Sequence, residues 1–343
     1  MTSLLVAGGS GELGSRSVAW CQSNLPDIVC VSGSRTSIST CDSIRLNIHD
    51  TRKLTEILKN FDIFLNAVGP YDYDPTDIIK ACNAARCHYT DLAELPEYLQ
   101  KVKHVSDQIE CPRIAIIPGC STTPGLVNVL SGYFSEFSDL DCLEAWLSIG
   151  TRNPTSHGLV YGLLRPMGRE LADGQLCFSK IHRNEGRLYG RYPFSATSHL
   201  RRVDGSDVEV KFFVGFDSRL AVRCFCATSK LWSMLTDRSL GVASKFLSIT
   251  GNIFRLFGKE KGILELLVKD RSDRVLSRLE VVAERNGLSV PCQPPLWLVE
   301  EHEFTGALKP GFWGLEDVIT PQSAIRWLRR SGCKIRLDGE DLF

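Results

Sequence analysis

An α/β fold organised on a doubly wound parallel sheet is predicted by three features of the N-terminal part of the chain. A short apolar run, Leu4-Leu5-Val6-Ala7, leads straight into glycines at G-x-G-x-x-G spacing, Gly9, Gly11 and Gly14. Apolar runs then alternate with helix-period segments as far as Ile117. Three of those runs end in glycine-containing turns, Gly33-Ser34, Gly69-Pro70 and Pro118-Gly119. In parallel sheets the carboxyl ends of the strands are where ligands lie.

Each element follows from local chemistry. Leu4 to Ala7 reads as a strand buried on both faces, and Glu12 to Cys21 as a helix with Leu13, Ser17, Val18 and Cys21 toward one side. The first-turn amides of that helix make an anion site. Gly9 and Gly11 let the backbone approach a pyrophosphate, and Gly14 lets the helix lie close to the strand. This strand-turn-helix context predicts a Rossmann-type dinucleotide site with contacts from Gly9, Ser10, Gly11, Glu12 and Leu13. A second strand, Ile28 to Ser32, ends in Gly33-Ser34-Arg35-Thr36-Ser37. About 20 residues beyond the last motif glycine, an NAD site would place a carboxylate on the ribose 2′-hydroxyl. Arg35 stands there instead, with Ser34 and Thr36 beside it, a set suited to a 2′-phosphate. NADP is therefore preferred to NAD.

The alternation continues with a strand at Ile44 to Ile48, a helix from Asp50 to Asn60 and a strand at Phe61 to Val68. A helix from Pro75 to Arg86, a strand at His88 to Asp91, a helix from Pro96 to Ile109 and a strand at Arg113 to Ile117 complete it. The strand-end rule nominates Asn66, Ala67, Gly69 and Pro70 as further cofactor contacts, and Tyr71, Asp91, Pro118, Gly119 and Cys120 as their neighbours.

Beyond Leu126 the pattern changes. Val127 to Phe134 reads as a helix, and Glu144 to Ser148, Val208 to Val214 and Arg219 to Thr228 as strands, the last with Cys224 and Cys226 on one face. Asn286-Gly287 predicts a hairpin between Leu279 to Glu284 and Leu288 to Pro291. Leu240 to Phe257 is an amphipathic helix, with Ala243, Phe246, Leu247, Ile253, Phe254 and Phe257 as its stripe. A packed helix, an oligomer contact or a membrane-surface helix would each present such a stripe. The expected organisation is a nucleotide-binding domain over 1–125, an α+β substrate or dimerisation domain over 126–300, and a segment 301–343 that returns to the first domain with a helix from Pro321 to Arg330.

A chain of 343 residues suits two cores, and 40 basic against 40 acidic residues leave no field to attract nucleic acid or acidic membranes. Neither a basic stripe nor interleaved aromatics appears. The 13 cysteines form no C-x-x-C pair and suit reduced thiols of a cytoplasmic protein, with no metal site. The N-terminus enters a strand at once, which argues against a signal peptide, and no apolar run is long enough for stable membrane insertion.

With those residues in place, the first domain resembles the NADP-binding domain of the saccharopine dehydrogenase family. Gly8 to Gly14 (GGSGELG), Asn66 to Tyr71 (NAVGPY), Ala81 to Glu94 (ACNAARCHYTDLAE) and Pro118 to Asn128 (PGCSTTPGLVN) carry the resemblance. The third block, with its Tyr89-Thr90-Asp91, is the most specific. The resemblance implies hydride transfer at carbon–nitrogen bonds or a related reduction. Two departures leave the substrate open. Thr123 precedes Pro124-Gly125 where saccharopine-binding members carry an aspartate, and their substrate-domain motifs are missing between Gly150 and Gly190.

Hydride transfer needs a cofactor ring held against the substrate carbon, and an acid or base where nitrogen or oxygen changes protonation. Asp91, at a strand end, is the first candidate, then Tyr89 and His88. Tyr71, Cys120 and Arg165 are the substrate-binding candidates, Arg165 sharing a short span with Arg152, His157, Tyr161 and Arg169. Such arginines hold a carboxylate or simply solvate a helix face. The sequence thus reads as an NADP-dependent oxidoreductase acting on an imine or secondary amine of a small molecule, its site between the domains. A carbonyl or enoyl reductase on the same scaffold and a non-catalytic NADP-binding protein are the alternatives. A homodimer through the second domain stays open.

Overall fold

The computed structural model describes residues 2–36, 42–154, 156–194, 200, 205–254, 258–306 and 308–342. Ser37 and the end of the predicted helix at 255–257 lie outside the described residues. The chain divides into two compact units, Met1–Leu130 with Ser289–Ala324, and Ser131–Leu288 with Ile325–Phe343.

In the first unit the elements are β1 (Ser3–Ala7), α1 (Glu12–Asn24), β2 (Val29–Ser34), β3 (Ser43–Arg45), α2 (Thr51–Leu58), β4 (Ile63–Asn66), α3 (Thr76–Ala85), β5 (His88–Asp91), α4 (Pro96–Asp107), β6 (Ala115–Ile117) and α5 (Val127–Ser131). The sheet runs β3-β2-β1-β4-β5-β6, with the short strand Gly311–Phe312 added beside β6, and its strands are parallel. Leu4, Leu5, Val6 and Ala7 are all buried, as a strand covered on both faces requires. Asp50 caps α2, its Oδ1 accepting from the Lys53 amide at 3.1 Å, and Arg86 closes α3 in the left-handed region at φ 61°. The doubly wound parallel sheet is therefore the one predicted.

The second unit holds β7 (Cys142–Ile149), α6 (His157–Leu164), β8 (Ile181–Asn184), β9 (Arg187–Tyr192), β10 (Glu209–Phe216), α7 (Arg219–Ser233), α8 (Asp237–Phe254), β11 (Gly262–Lys269) and β12 (Val275–Ala283). The return to the first unit contains α9 (Pro294–Thr305) and β13 (Gly311–Phe312); α10 (Pro321–Arg330), β14 (Lys334–Leu337) and β15 (Glu340–Asp341) close the chain. The second sheet has eight strands in the order β15-β14-β12-β11-β7-β10-β9-β8, antiparallel except for the β7–β10 pair. Alternation sorts its faces. Leu143, Ala145, Leu264, Leu266, Leu279, Val281 and Ile335 form an apolar side. On the other, Glu144 pairs with Lys269 at 3.0 Å, and Trp146, Tyr189, Phe213 and Leu267 form an apolar cluster.

Three expectations are corrected. Residues 219–228 belong to α7 rather than to a strand. The Ser218 Oγ accepts from the Ala221 amide at 3.3 Å, and the buried Val222 and Ser229 stand two helical turns apart. Leu220 and Cys224, which the alternating pattern would turn inward, are exposed, so Cys224 and Cys226 share no strand face. The Asn286-Gly287 pair makes no hairpin, because residues 287–292 form a short 3-10 turn and β12 pairs instead with β11. A Cβ on Gly287 would lie 2.8 Å from the Gly262 amide nitrogen, so the glycine serves a close backbone approach. Finally, the segment returning to the first unit is 289–324 rather than 301–343. Lys334–Leu337 pairs with β12 and buries Ile335 on the second sheet's apolar side, which keeps the chain's end in the second unit.

Candidate functional site

The strand order reverses at β1, which has β2 on one side and β4 on the other, so the loops leaving β1 and β4 flank the natural ligand position. Gly8, at φ 77°, starts the first loop. The Gly8 and Gly9 amides donate to the Gly33 carbonyl at 2.8 and 3.1 Å, and the Gly11 amide donates back to the Gly8 carbonyl at 2.8 Å. A Cβ on Gly9 would lie 2.2 Å from Ser32 Oγ, one on Gly14 2.2 Å from the Gly8 carbonyl oxygen, and one on Gly8 2.7 Å from the Ala67 carbonyl oxygen. Those three glycines shape the turn. Gly11 differs: its nearest neighbour would be the Gly8 oxygen at 3.1 Å, and it is exposed. As the N-cap of α1 it offers no side chain, so no side chain caps the helix start. The amides of Gly8, Gly9 and Gly11 are spent on the turn itself, so the first-turn amides of α1 beyond Gly11 are the ones that suit a diphosphate.

Around it lie the other predicted contacts. Ser10 is exposed, Leu13 half-buried, and Glu12 pairs with Arg16 at 2.8 Å. Ser34 is buried at the end of β2, and Arg35 and Thr36 follow it into solvent. Ala67 donates its amide to the Ala7 carbonyl at 2.9 Å, which ties the second loop to the first, and Gly69 and Pro70 continue that loop at the surface.

Asn66 is fully buried and anchors a ring of hydroxyls. Its Nδ2 donates to Tyr73 at 2.9 Å, Tyr98 at 3.2 Å and Tyr89 at 3.4 Å. Tyr89 and Tyr98 hydroxyls lie 3.0 Å apart, and Tyr89 donates to Asp91 Oδ2 at 2.8 Å. Asp91 Oδ1 accepts from the Gly119 and Ala93 amides at 2.8 and 2.9 Å. Burial pushes the Asp91 carboxyl up to about 6 against these bonds, and it pushes the Tyr89 and Tyr98 hydroxyls well above their usual range.

The structure therefore separates residues that the sequence placed together. Asp91 and Tyr89 are sealed inside, Asp91 joining the ends of β5 and β6, so neither presents a group to solvent. His88 opens β5 beside Ile63, at the sheet end opposite the glycine turn, because parallel strands start together. Its Nδ1 accepts from the Ala115 amide at 2.9 Å and its ring meets His302 at 5.1 Å; burial and His302 lower it to about 4. Cys120 is fully buried and donates to the Ile117 carbonyl at 3.2 Å, and burial raises its thiol far above the reactive range. Tyr71 is half-buried; its hydroxyl donates to the Asn66 carbonyl at 2.7 Å and accepts from the Leu92 amide. Arg165 belongs to the second unit, where it caps α6.

Sequence reasoning missed Glu94, Tyr73 and Tyr98. Glu94 is exposed as a residue, while burial of its carboxyl raises that group; Ser121 Oγ donates to it at 2.8 Å and Thr123 donates as well. Glu94 stood in the third block as its last residue, three beyond Asp91, and that closeness was the available signal. Tyr98 carried none, since it reads as an ordinary inward position of α4.

A doubly wound sheet with a Cβ-free turn at its reversal point defines a dinucleotide-binding domain of the Rossmann class. Residues 5–111 match the family model for the saccharopine dehydrogenase NADP-binding domain, and the resemblance carried by the glycine turn and the Tyr89-Thr90-Asp91 segment is borne out there. Among solved structures, apo saccharopine dehydrogenase (L-Glu forming) from Saccharomyces cerevisiae is similar over 100% of both chains at 10% identity, with a TM-score of 0.60. An amine dehydrogenase from Mycobacterium smegmatis aligns over 93% of this chain and 96% of its own at 10% identity, with a TM-score of 0.48. The yeast enzyme thus shares the fold across both units.

Proposed function

We propose that the chain is an NADP-dependent oxidoreductase that moves a hydride to or from a carbon–nitrogen bond of a small molecule. The observation that carries this reading is the turn at the end of β1, held tight by Gly8, Gly9 and Gly14 and leaving Gly11 exposed without a side chain at the start of α1. The family match over 5–111 supports the cofactor class. When bound, the nicotinamide supplies the hydride chemistry. The backbone amides at the start of α1 hold the diphosphate, and Arg35 with Thr36 accepts a 2′-phosphate. Asn66 and its hydroxyl ring fix the loop 66–71 over the mouth of the sheet. Asp91 is a positioning residue in this scheme. Glu94 is the acid or base, a residue exposed at the strand ends whose carboxyl is raised by burial.

Titration with NADPH and NADH, followed by amines paired with oxo acids under cofactor absorbance, tests the reading. NADPH should bind at least tenfold more tightly, by analogy with a charge-assisted contact of about 1.5–3 kcal/mol. Arg35→Ala should erase most of that preference while NADH binding stays. Equal loss for both nucleotides would remove the 2′-phosphate role, and indifference to both would remove the enzyme assignment.

A further inference from the structure

The second unit carries apolar side chains where its own packing does not use them. On α7 and just past it, Leu220, Cys224, Ala227, Leu231 and Met234 are exposed at spacings of four, three, four and three residues, one stripe along the helix. Leu220 is 63%, Leu231 53% and Met234 80% exposed. On α8, Val242 and Ile249 are 66% and 71% exposed and Phe246 lies between them on the same side. The inward sides are already filled: Val222 and Ser229 are buried on α7, Leu240 and Ser244 on α8, and α8 packs on α6. Leu220, Leu231, Met234, Val242 and Ile249 thus stay exposed after the packing among the described residues is complete.

Charge says what they face. Across residues 219–249 the sequence has Arg219, Arg223, Lys230, Arg238 and Lys245 against Asp237 alone, while the whole chain is neutral. All five cations are exposed, and they interleave with the stripes: Lys230 precedes Leu231, and Lys245 precedes Phe246. Apolar residues flanked by basic ones on a helix surface fit the interface of an anionic bilayer, where acyl chains take the stripe and headgroups take the cations. A second copy docking through the same face would set one cationic surface against another, which opposes self-association. Among the described residues no helix is long and apolar enough to cross a membrane, so such docking is peripheral.

We propose that α7 and α8 form a docking surface for anionic phospholipid membranes. The test is co-sedimentation of the full chain with vesicles of phosphatidylcholine alone and of phosphatidylcholine with 30% phosphatidylserine, at low and high salt. Binding is expected only to the anionic vesicles and is weakened by salt; each cation removed, as in Lys230→Gln or Lys245→Gln, should lower the partition coefficient about fivefold. Met234→Ser with Ile249→Ser should abolish it, and because both sites are exposed the melting temperature should not move. Equal partition onto neutral and anionic vesicles, no partition onto either, or partition unchanged in these variants overturns the proposal. So does a dimer in sedimentation velocity that Ile249→Ser dissociates, since that assigns the stripe to a second copy.

Discussion

At the scale of single residues the glycine turn separates two jobs that its motif fuses. Gly14 is a packing glycine: a methyl there meets the Gly8 carbonyl oxygen, a backbone atom that cannot rotate aside. Gly14→Ala should cost on the order of 1–3 kcal/mol through forced backbone movement, read as a lower melting temperature. Gly11→Val brings a Cβ to 3.1 Å from the Gly8 carbonyl oxygen, a contact that a few tenths of an ångström of movement relieves, so its melt should fall less than that of Gly14→Ala while NADPH affinity falls at least a hundredfold. A Gly11→Val protein that binds NADPH normally would sever the turn from the cofactor. The types and spacing of these glycines were legible in the sequence, because the reason for each is local. The fate of Asp91 was not. Its burial depends on amides of Ala93 and Gly119, the latter 28 residues away and brought alongside only by the pairing of β5 with β6.

At the scale of elements, parallel strands buried on both faces leave apolar runs, and these made β1 and β4 readable; β5, His88-Tyr89-Thr90-Asp91, has no such run, yet it and α10 stand at the predicted bounds. Helix α7 shows why the second unit was harder. Its outer stripe of Leu220, Cys224 and Leu231 is apolar, so the usual inference from apolar to inward-facing fails and a strand period emerges by coincidence. The Ser218 cap was the better guide. Ser218→Ala should remove its bond to the Ala221 amide and cost about 1 kcal/mol. Urea unfolding of the full chain should place that loss in the transition of the second unit. A shift in the first unit's transition, or none, would mean that the cap adds nothing to α7.

At the scale of the whole molecule, 40 basic against 40 acidic residues keep the net charge near zero at neutral pH, so as the pH first falls, before most carboxylates titrate, buried groups with displaced pKa values set much of the change in stability. In the first unit two of them oppose each other. His88 has a folded pKa of about 4, below the unfolded value of about 6.5, so between these limits only the unfolded chain binds the proton. Its contribution is complete above pH 6.5 and is lost as the pH falls toward 4, at up to about 1.4 kcal/mol per pH unit. Asp91 runs the other way: its folded pKa of about 6 exceeds the unfolded value of about 3.9, so the folded chain takes up the proton first and gains stability as the pH falls through 6. The two windows overlap almost fully, and the first unit should be nearly indifferent to pH between about 6 and 4 on their account. Asp91→Asn can keep the Gly119 and Ala93 bonds through its carbonyl oxygen, with Tyr89 accepting from the new amide, while the opposing proton uptake disappears. Its melting temperature should then fall more steeply with acid than the parent's over that range. His88→Asn, whose carbonyl can accept from the Ala115 amide, should instead rise relative to the parent as the pH drops. Parallel slopes in the parent and both variants would show that neither buried group carries the proton linkage assigned to it.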